Sequence, residues 1–162
     1  MGAITNEALT DLYRRRADLV YRICLTLMRN GPDAEDLTQD VFRKVLERTE
    51  PFRDPEHERA WLIVTARNVC RDQLKHWWRT RRAGAEALDH IAWEQPEDGA
   101  LWELLLKLPE NERLALFLHY HQGYTTEEIA RLMGRKPATV RSWLYRGRQR
   151  LRPILEANGY GT

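Results

Sequence analysis

The chain has 162 residues, 43% apolar and 31% charged, with a formal net charge of +2. That length bounds it to one ordinary domain or two small ones, each with a packed core. No apolar run approaches the roughly 20 residues of a membrane span and no signal peptide is visible, which argues against membrane insertion and makes a cytoplasmic protein the expectation.

Apolar residues recur at helical intervals wherever the spacing is clear, and no stretch alternates as a strand does, so an all-α protein is predicted. The first helix is predicted over 5–29, with Leu9, Leu12, Tyr13, Val20, Ile23, Cys24 and Leu27 on one side. Gly31-Pro32 breaks it. Asp33 is the predicted cap of a second helix ending near 48, with Leu37, Val41, Val45 and Leu46 inward and Asp36, Gln39, Asp40, Arg43 and Glu47 exposed. Such a face either keeps the protein soluble or binds a partner.

A loop over 50–55, marked by Pro51 and Pro55, leads into a long helix over 56–80. Trp61, Leu62, Ile63, Ala66, Cys70, Leu74 and Trp77 are its apolar positions; Asn68, Arg71, Lys75, Arg79, Arg81 and Arg82 form a polar, mostly basic surface. Residues 61–82 carry six Lys or Arg against Asp72 alone. Basic charge follows a phosphate backbone and aromatic faces stack on bases, a combination suited to single-stranded or partly opened DNA. The competing reading makes Trp61 and Trp77 core and the charges a solvated face; Trp78 fits both.

Residues 83–99, with Gly84, Pro96, Gly99 and weak periodicity, are predicted to be a linker, Trp93 being its large apolar group. Residues 86–112 carry eight acidic residues against Lys107 alone. Two cationic blocks thus flank an acidic one, and nucleic-acid affinity follows local patches rather than the whole-chain balance. The architecture expected is two small helical domains: three packed helices over 5–82, then 100–158 with helices near 100–107, 110–121, 125–133 and 137–157.

The stretch 123–152 is the most informative. Thr125 followed by Glu128 is a capping box, and Ile129, Ala130 and Met133 give the helix after it an apolar face. Gly134 is a helix stop and Pro137 suits the first turn of the next helix. From Arg135 to Arg152 there are seven Lys or Arg and no acidic residue. Two short helices around a glycine turn, the second cationic, form the pattern of a DNA-reading helix-turn-helix. At about 100° per residue, Val140, Leu144, Gly147 and Leu151 face inward, and Ala138, Arg141, Ser142, Tyr145, Arg146 and Gln149 face outward. Arg bonds a guanine edge bidentately, Ser and Gln bond bases or phosphates, and Tyr adds apolar surface with a polar tip. The bland reading is a solvated basic helix end.

Cys24 and Cys70 lie in apolar patterns and are read as buried thiols. There is no CxxC or zinc-spaced Cys/His set, and His119 and His121 fall on different helix faces, so no metal or cofactor is expected. No phosphate-cradling loop, nucleophile elbow or paired acid-base motif is present, so catalysis is not expected.

Taken together, these pieces resemble a bacterial sigma factor of the extracytoplasmic-function (ECF) type over nearly the whole chain. Asp33-Ala34-Glu35-Asp36-Leu37-Thr38-Gln39-Asp40-Val41-Phe42 is similar to the family's helix that binds the clamp helices of RNA polymerase. Trp61-Leu62, Ala66-Arg67-Asn68 and Asp72 resemble the helix presented to the −10 promoter element. Leu108-Pro109, Arg113 and Tyr124 to Leu151 resemble sigma region 4, which reads the −35 element. The N-terminal and central extensions of larger sigma factors are not seen in this sequence, so the compact subclass is the expectation.

The resemblance implies a dissociable, non-catalytic initiation subunit that binds core RNA polymerase, selects promoters and assists their opening. In it Arg141, Ser142, Tyr145 and Arg146 approach bases, and Thr139 and Arg148 hold phosphates. Asn68, Arg71 and Lys75 lie beside −10 DNA, and the loop 50–58 captures an unstacked base. Asp36, Gln39, Asp40 and Phe42 face polymerase, with Phe42 equally suited to the core. An anti-sigma protein is the expected controlling partner. The sequence departs from the family at Ala138, where Gly is frequent, and at Trp143, where a basic residue is frequent; Trp143 either packs within the domain or lies along a sugar-phosphate edge. The competing function is a stand-alone regulator using only the helix-turn-helix, with the first half as sensor or dimerisation domain.

Overall fold

In the computed structural model the described residues are 4–80, 105 and 107–157, the side chains of 77–80, 154, 155 and 157 aside. The predicted linker over 83–99, with Trp93, and the side chains of Trp77 and Trp78 lie outside them, as does most of the predicted helix over 100–107. All regular structure among the described residues is helical, and the chain divides into two compact units, residues 1–94 and 95–162.

Unit 1 is a bundle of α1 (Asn6–Met28), α2 (Gly31–Glu47) and α3 (Pro55–Thr80), each packed on the other two. Thr5 caps α1 by accepting from the Ala8 N–H at 3.1 Å. Arg29 ends it in the left-handed region, φ 70°, and its N–H returns to Leu25 O. Tyr13, predicted on the apolar side of α1, is 46% exposed, and two features of α2 also differ from the sequence reading. Asn30, rather than Asp33, caps α2: its Oδ1 accepts the Asp33 N–H at 2.8 Å and its Nδ2 donates to the Asp33 carboxylate at 2.7 Å. Gly31-Pro32 therefore opens α2 instead of separating it from α1, because the first helical turn needs no proline N–H. Leu46 is exposed, not inward; Val45 takes the buried position.

The core of unit 1 is Leu12, Val20, Ile23, Cys24 and Leu27 from α1, Ala34, Leu37, Val41 and Val45 from α2, and Leu62, Ile63, Ala66 and Cys70 from α3. Burying a side chain of Leu or Ile size stabilises by about 1.5–3 kcal/mol, so this seam outweighs any surface pairing. Neither cysteine forms a disulfide and both are fully buried.

Unit 2 contains α4 (Glu110–Leu116), which widens into a π turn over Phe117–His121, then α5 (Thr126–Met133) and α6 (Pro137–Ala157). Leu114, Leu118, Ile129, Ala130, Val140, Trp143 and Leu144 make its core. Gly147 is buried where α6 crosses α4; a Cβ there would stand 2.7 Å from Leu116 Cδ1 and 3.7 Å from Glu112 Cβ. No helix among the described residues is long and apolar enough to cross a membrane.

Candidate nucleic-acid interface

The α5–turn–α6 segment is built by strong local signals. The Thr125 Oγ1 accepts the Glu128 N–H at 3.1 Å while Glu128 Oε1 accepts the Thr125 N–H at 2.9 Å, completing the capping box. Such a cap is worth about 1 kcal/mol. Gly134 adopts φ 65°, a left-handed conformation that glycine takes without a Cβ penalty, and its N–H closes on Ala130 and Arg131 carbonyls. Pro137 then starts α6.

On α6 the predicted outward residues come together. Ala138, Arg141, Ser142, Tyr145 and Arg146 line one open hollow of about 370 Å³, and Tyr145 is 60% exposed. Trp143 is 7% exposed, which places it in the core and not along a phosphate edge. Thr139 is half-buried in the first turn of α6, its N–H donating to Lys136 O at 3.0 Å.

Three exposed arginines of α6 meet residues of the preceding segment. Arg148 Nη1 donates to Tyr120 Oη at 2.9 Å. Arg146 Nε lies 3.5 Å from Glu112 Oε1, and Arg150 Nε lies 3.2 Å from Glu112 Oε2. Sequence reasoning singled out neither Tyr120 nor Glu112. Tyr120 sits in the π turn, where the Gln122 N–H reaches Phe117 O at 3.2 Å. Wide turns of this kind recur at functional sites. In the same turn His119 Nδ1 lies 2.8 Å from Tyr124 O, whereas the His121 ring stacks on Phe117, so the two imidazoles serve different local contacts.

In unit 1, Asn68, Arg71 and Lys75 are spaced three and four apart and share a face of α3, Asn68 and Lys75 exposed and Arg71 half-buried. The loop before α3 is organised at both ends. Arg48 lays its guanidinium 4.2 Å from the Phe52 ring centroid and 4.9 Å from that of Trp61, and Phe52 meets Trp61 edge-on. Asp54 Oδ1 accepts the His57 N–H at 2.7 Å and so caps α3. Trp61 is half-buried under this cation–π cluster, intermediate between the core and base-stacking readings.

Glu58 ties α3 to α1, accepting from Arg15 Nη1 at 2.7 Å and Arg16 Nε at 2.9 Å. Burial pushes its carboxyl up, but the hydrogen bonds from the two guanidiniums outweigh that and hold it below the usual carboxylate range.

Asp36 and Gln39 are exposed and Asp40 is half-buried, paired with Arg43 one turn on. Gln39 borders a groove between α1 and α2 with Tyr13 and Tyr21, and Asp40 borders another between α2 and α3 with Asp72. Phe42, of the two readings open to it, takes the buried one: it is 6% exposed and its ring lies 4.9 Å edge-on from Tyr13 of the neighbouring α1. Among the described residues no group of three or more His, Cys, Asp and Glu is placed to hold a metal.

A cationic helix-turn-helix unit following a three-helix unit with its own polar-basic helix face defines a helical DNA-binding protein. Family models agree and narrow the class: Sigma-70 region 2 matches residues 12–91, and Sigma-70, region 4 matches residues 98–151. The chain is similar to the ECF RNA polymerase sigma factor SigE of Mycolicibacterium smegmatis, 34% identical over 94% of this chain and 63% of that protein. It is also similar to the RNA polymerase sigma factor CarQ of Myxococcus xanthus, 31% identical over 92% of this chain and 90% of that one. The sigma factor RpoE, in a co-crystal structure with the anti-sigma factor NepR from Bartonella quintana, shares the fold at TM-score 0.67, 22% identity and coverage of 91% of this chain and 96% of that one. The chain belongs to the sigma-70 family, as an alternative sigma factor of the ECF type. The region 2 match across the first half sets aside a sensor or dimerisation domain there.

Proposed function

We propose that this chain binds core RNA polymerase, directs it to specific promoters and assists their opening, with residues 5–82 and 100–158 as its working domains and 83–99 as the link between them. The observation that carries the reading is the α6 face, where Arg141, Ser142, Tyr145 and Arg146 converge on one open hollow in a helix without acidic residues from 135 to 152. A helix of this kind fits the duplex major groove, with Arg141 and Arg146 offering bidentate forks to base edges. Thr139 and Arg148 would hold phosphates, which fix register without reading sequence.

In unit 1, Asn68, Arg71 and Lys75 track the −10 strand. The loop 50–58 captures an unstacked base, whose extrusion costs a few kcal/mol that polymerase contacts offset. Asp36, Gln39 and Asp40 dock on polymerase. The protein contributes no catalysis of its own, acts in the cytoplasm where polymerase works, and is held by an anti-sigma protein when idle; the anti-sigma complex of the Bartonella protein supports the last point.

The test is a gel-shift comparison on promoter DNA. Core polymerase plus the chain should form a stable complex, while the chain alone binds weakly. A chain that binds its DNA tightly without polymerase, and does not retain polymerase on a column, would overturn the reading.

A further inference from the structure

We infer that Glu112 is a positioning residue for the DNA-reading face of α6: it orients Arg146, sharpening discrimination between promoter and other DNA while weakening attraction to DNA in general. The inference rests on the reading of α6 as the promoter-reading helix.

Glu112 is 4% exposed, yet its carboxylate meets two guanidiniums whose side chains are 54% and 56% exposed. Both meet it through Nε, at 3.5 Å for Arg146 and 3.2 Å for Arg150. In each pair the nitrogen nearest the carboxylate is Nε, with the fork of two terminal NH2 groups beyond it on a side chain that stays more than half exposed. That outer fork is the part of arginine that bonds a guanine edge or a phosphate bidentately. A long side chain held in this pose loses less freedom on binding than one free to rotate.

The surrounding geometry is built for this reach. Arg146 and Arg150 are four apart on one helix face, and Gly147 lies between them. A Cβ at Gly147 would stand 2.7 Å from Leu116 Cδ1, so the glycine lets α6 lie close on α4, where one Glu112 carboxylate faces both arginines.

Stability alone explains Glu112 poorly. Its partners are exposed and screened, and Oε2 has no hydrogen bond of good geometry despite the nearby Arg150. An apolar side chain of similar volume would stabilise this site as well or better. A carboxylate beneath a cationic DNA-facing helix also repels phosphates, an effect independent of sequence. Positioning and repulsion act with opposite sign on promoter and non-promoter binding, which makes the proposal separable from a scaffold role.

The experiment uses full-length chain in reconstituted holoenzyme, with two duplexes: the promoter that wild-type holoenzyme selects, and a shuffled duplex of the same length and composition. Glu112→Gln should lower the ratio of the two affinities by about tenfold, the order of one oriented bidentate arginine contact. The shuffled duplex should bind equally well or tighter, with the thermal midpoint of the free chain nearly unchanged. In an Arg146→Ala background the same substitution should leave the ratio where it is. Glu112→Asp keeps the charge but draws it back by one methylene. It should lose discrimination while the shuffled duplex binds as to wild type, and it serves if the Gln variant folds poorly. A ratio retained by both variants, a parallel fall of both affinities with the thermal midpoint, or an equal loss in the Arg146→Ala background overturns the proposal. A wild-type ratio of one sinks the reading of α6 itself, and is seen before any variant is compared.

Discussion

Gly147 and Leu116 fix how closely α6 lies on α4. A Cβ on residue 147 would come within 2.7 Å of Leu116 Cδ1 and 3.2 Å of its Cγ. Leu116 is 4% exposed, so any shift of its side chain is made inside the packed core. Gly147→Ala gains about 1 kcal/mol of helix propensity but overpacks the crossing, which typically costs about 1–3 kcal/mol. The net expected is a loss of about 1 kcal/mol for the alanine variant and a much larger one for Gly147→Leu. Denaturant unfolding of the full chain measures both; an alanine variant more stable than the parent would show that the crossing is looser than described.

The Glu58 carboxylate, hydrogen-bonded by Arg15 and Arg16, makes the stability of unit 1 acid-sensitive. Its pKa is lowered on folding. Its contribution is therefore fully present above the ordinary glutamate value, about 4.3, and is lost as pH falls through the lower folded value. Thermal midpoints should decline through that acid window in the wild type and decline less steeply in Glu58→Gln, which starts lower at neutral pH. Parallel pH profiles for the two proteins would refute the role of this pair.

Much of the fold is legible because it is locally encoded. The capping box at Thr125, the Gly134 stop and the helical spacing of the core need only neighbours in sequence, and each is found. What stayed open or escaped depends mostly on contacts between helices. Phe42 is buried because Tyr13 of α1 covers it. Trp143, at the margin of an ideal helical wheel, is drawn inward by packing. One miss is local instead: Asn30 caps α2 through Asp33, although the intervening Gly31-Pro32 reads as a break. Glu112 belongs to an acidic stretch whose charge pattern gives no hint that α6 crosses directly above it. The i, i+4 pair Arg146 and Arg150 flanking Gly147 was the available signal.

On α6, Arg141→Ala with Arg146→Ala should abolish −35-dependent transcription and leave polymerase binding intact. Each lost bidentate contact is worth roughly 1–3 kcal/mol, so promoter affinity should fall by at least about thirtyfold. Transcription assays and polymerase pull-down with the same preparation measure the two properties. Loss of polymerase binding would show that this face does another job.

Asp36→Arg with Asp40→Arg should do the reverse. Both side chains reach solvent, so the fold should survive. Core polymerase should no longer be retained, while the isolated region 4 segment, whose sequence is unaltered, still shifts −35 duplex. A variant that keeps polymerase would remove this edge of α2 from the proposed docking surface.

Run-off transcription by sigma-free core polymerase on a library of genomic fragments is the most direct measurement. With the purified chain added, discrete transcripts should start downstream of a shared pair of upstream elements, vanish when the chain is omitted, and fail with either double variant. Absence of chain-dependent initiation on every template would contradict the assignment.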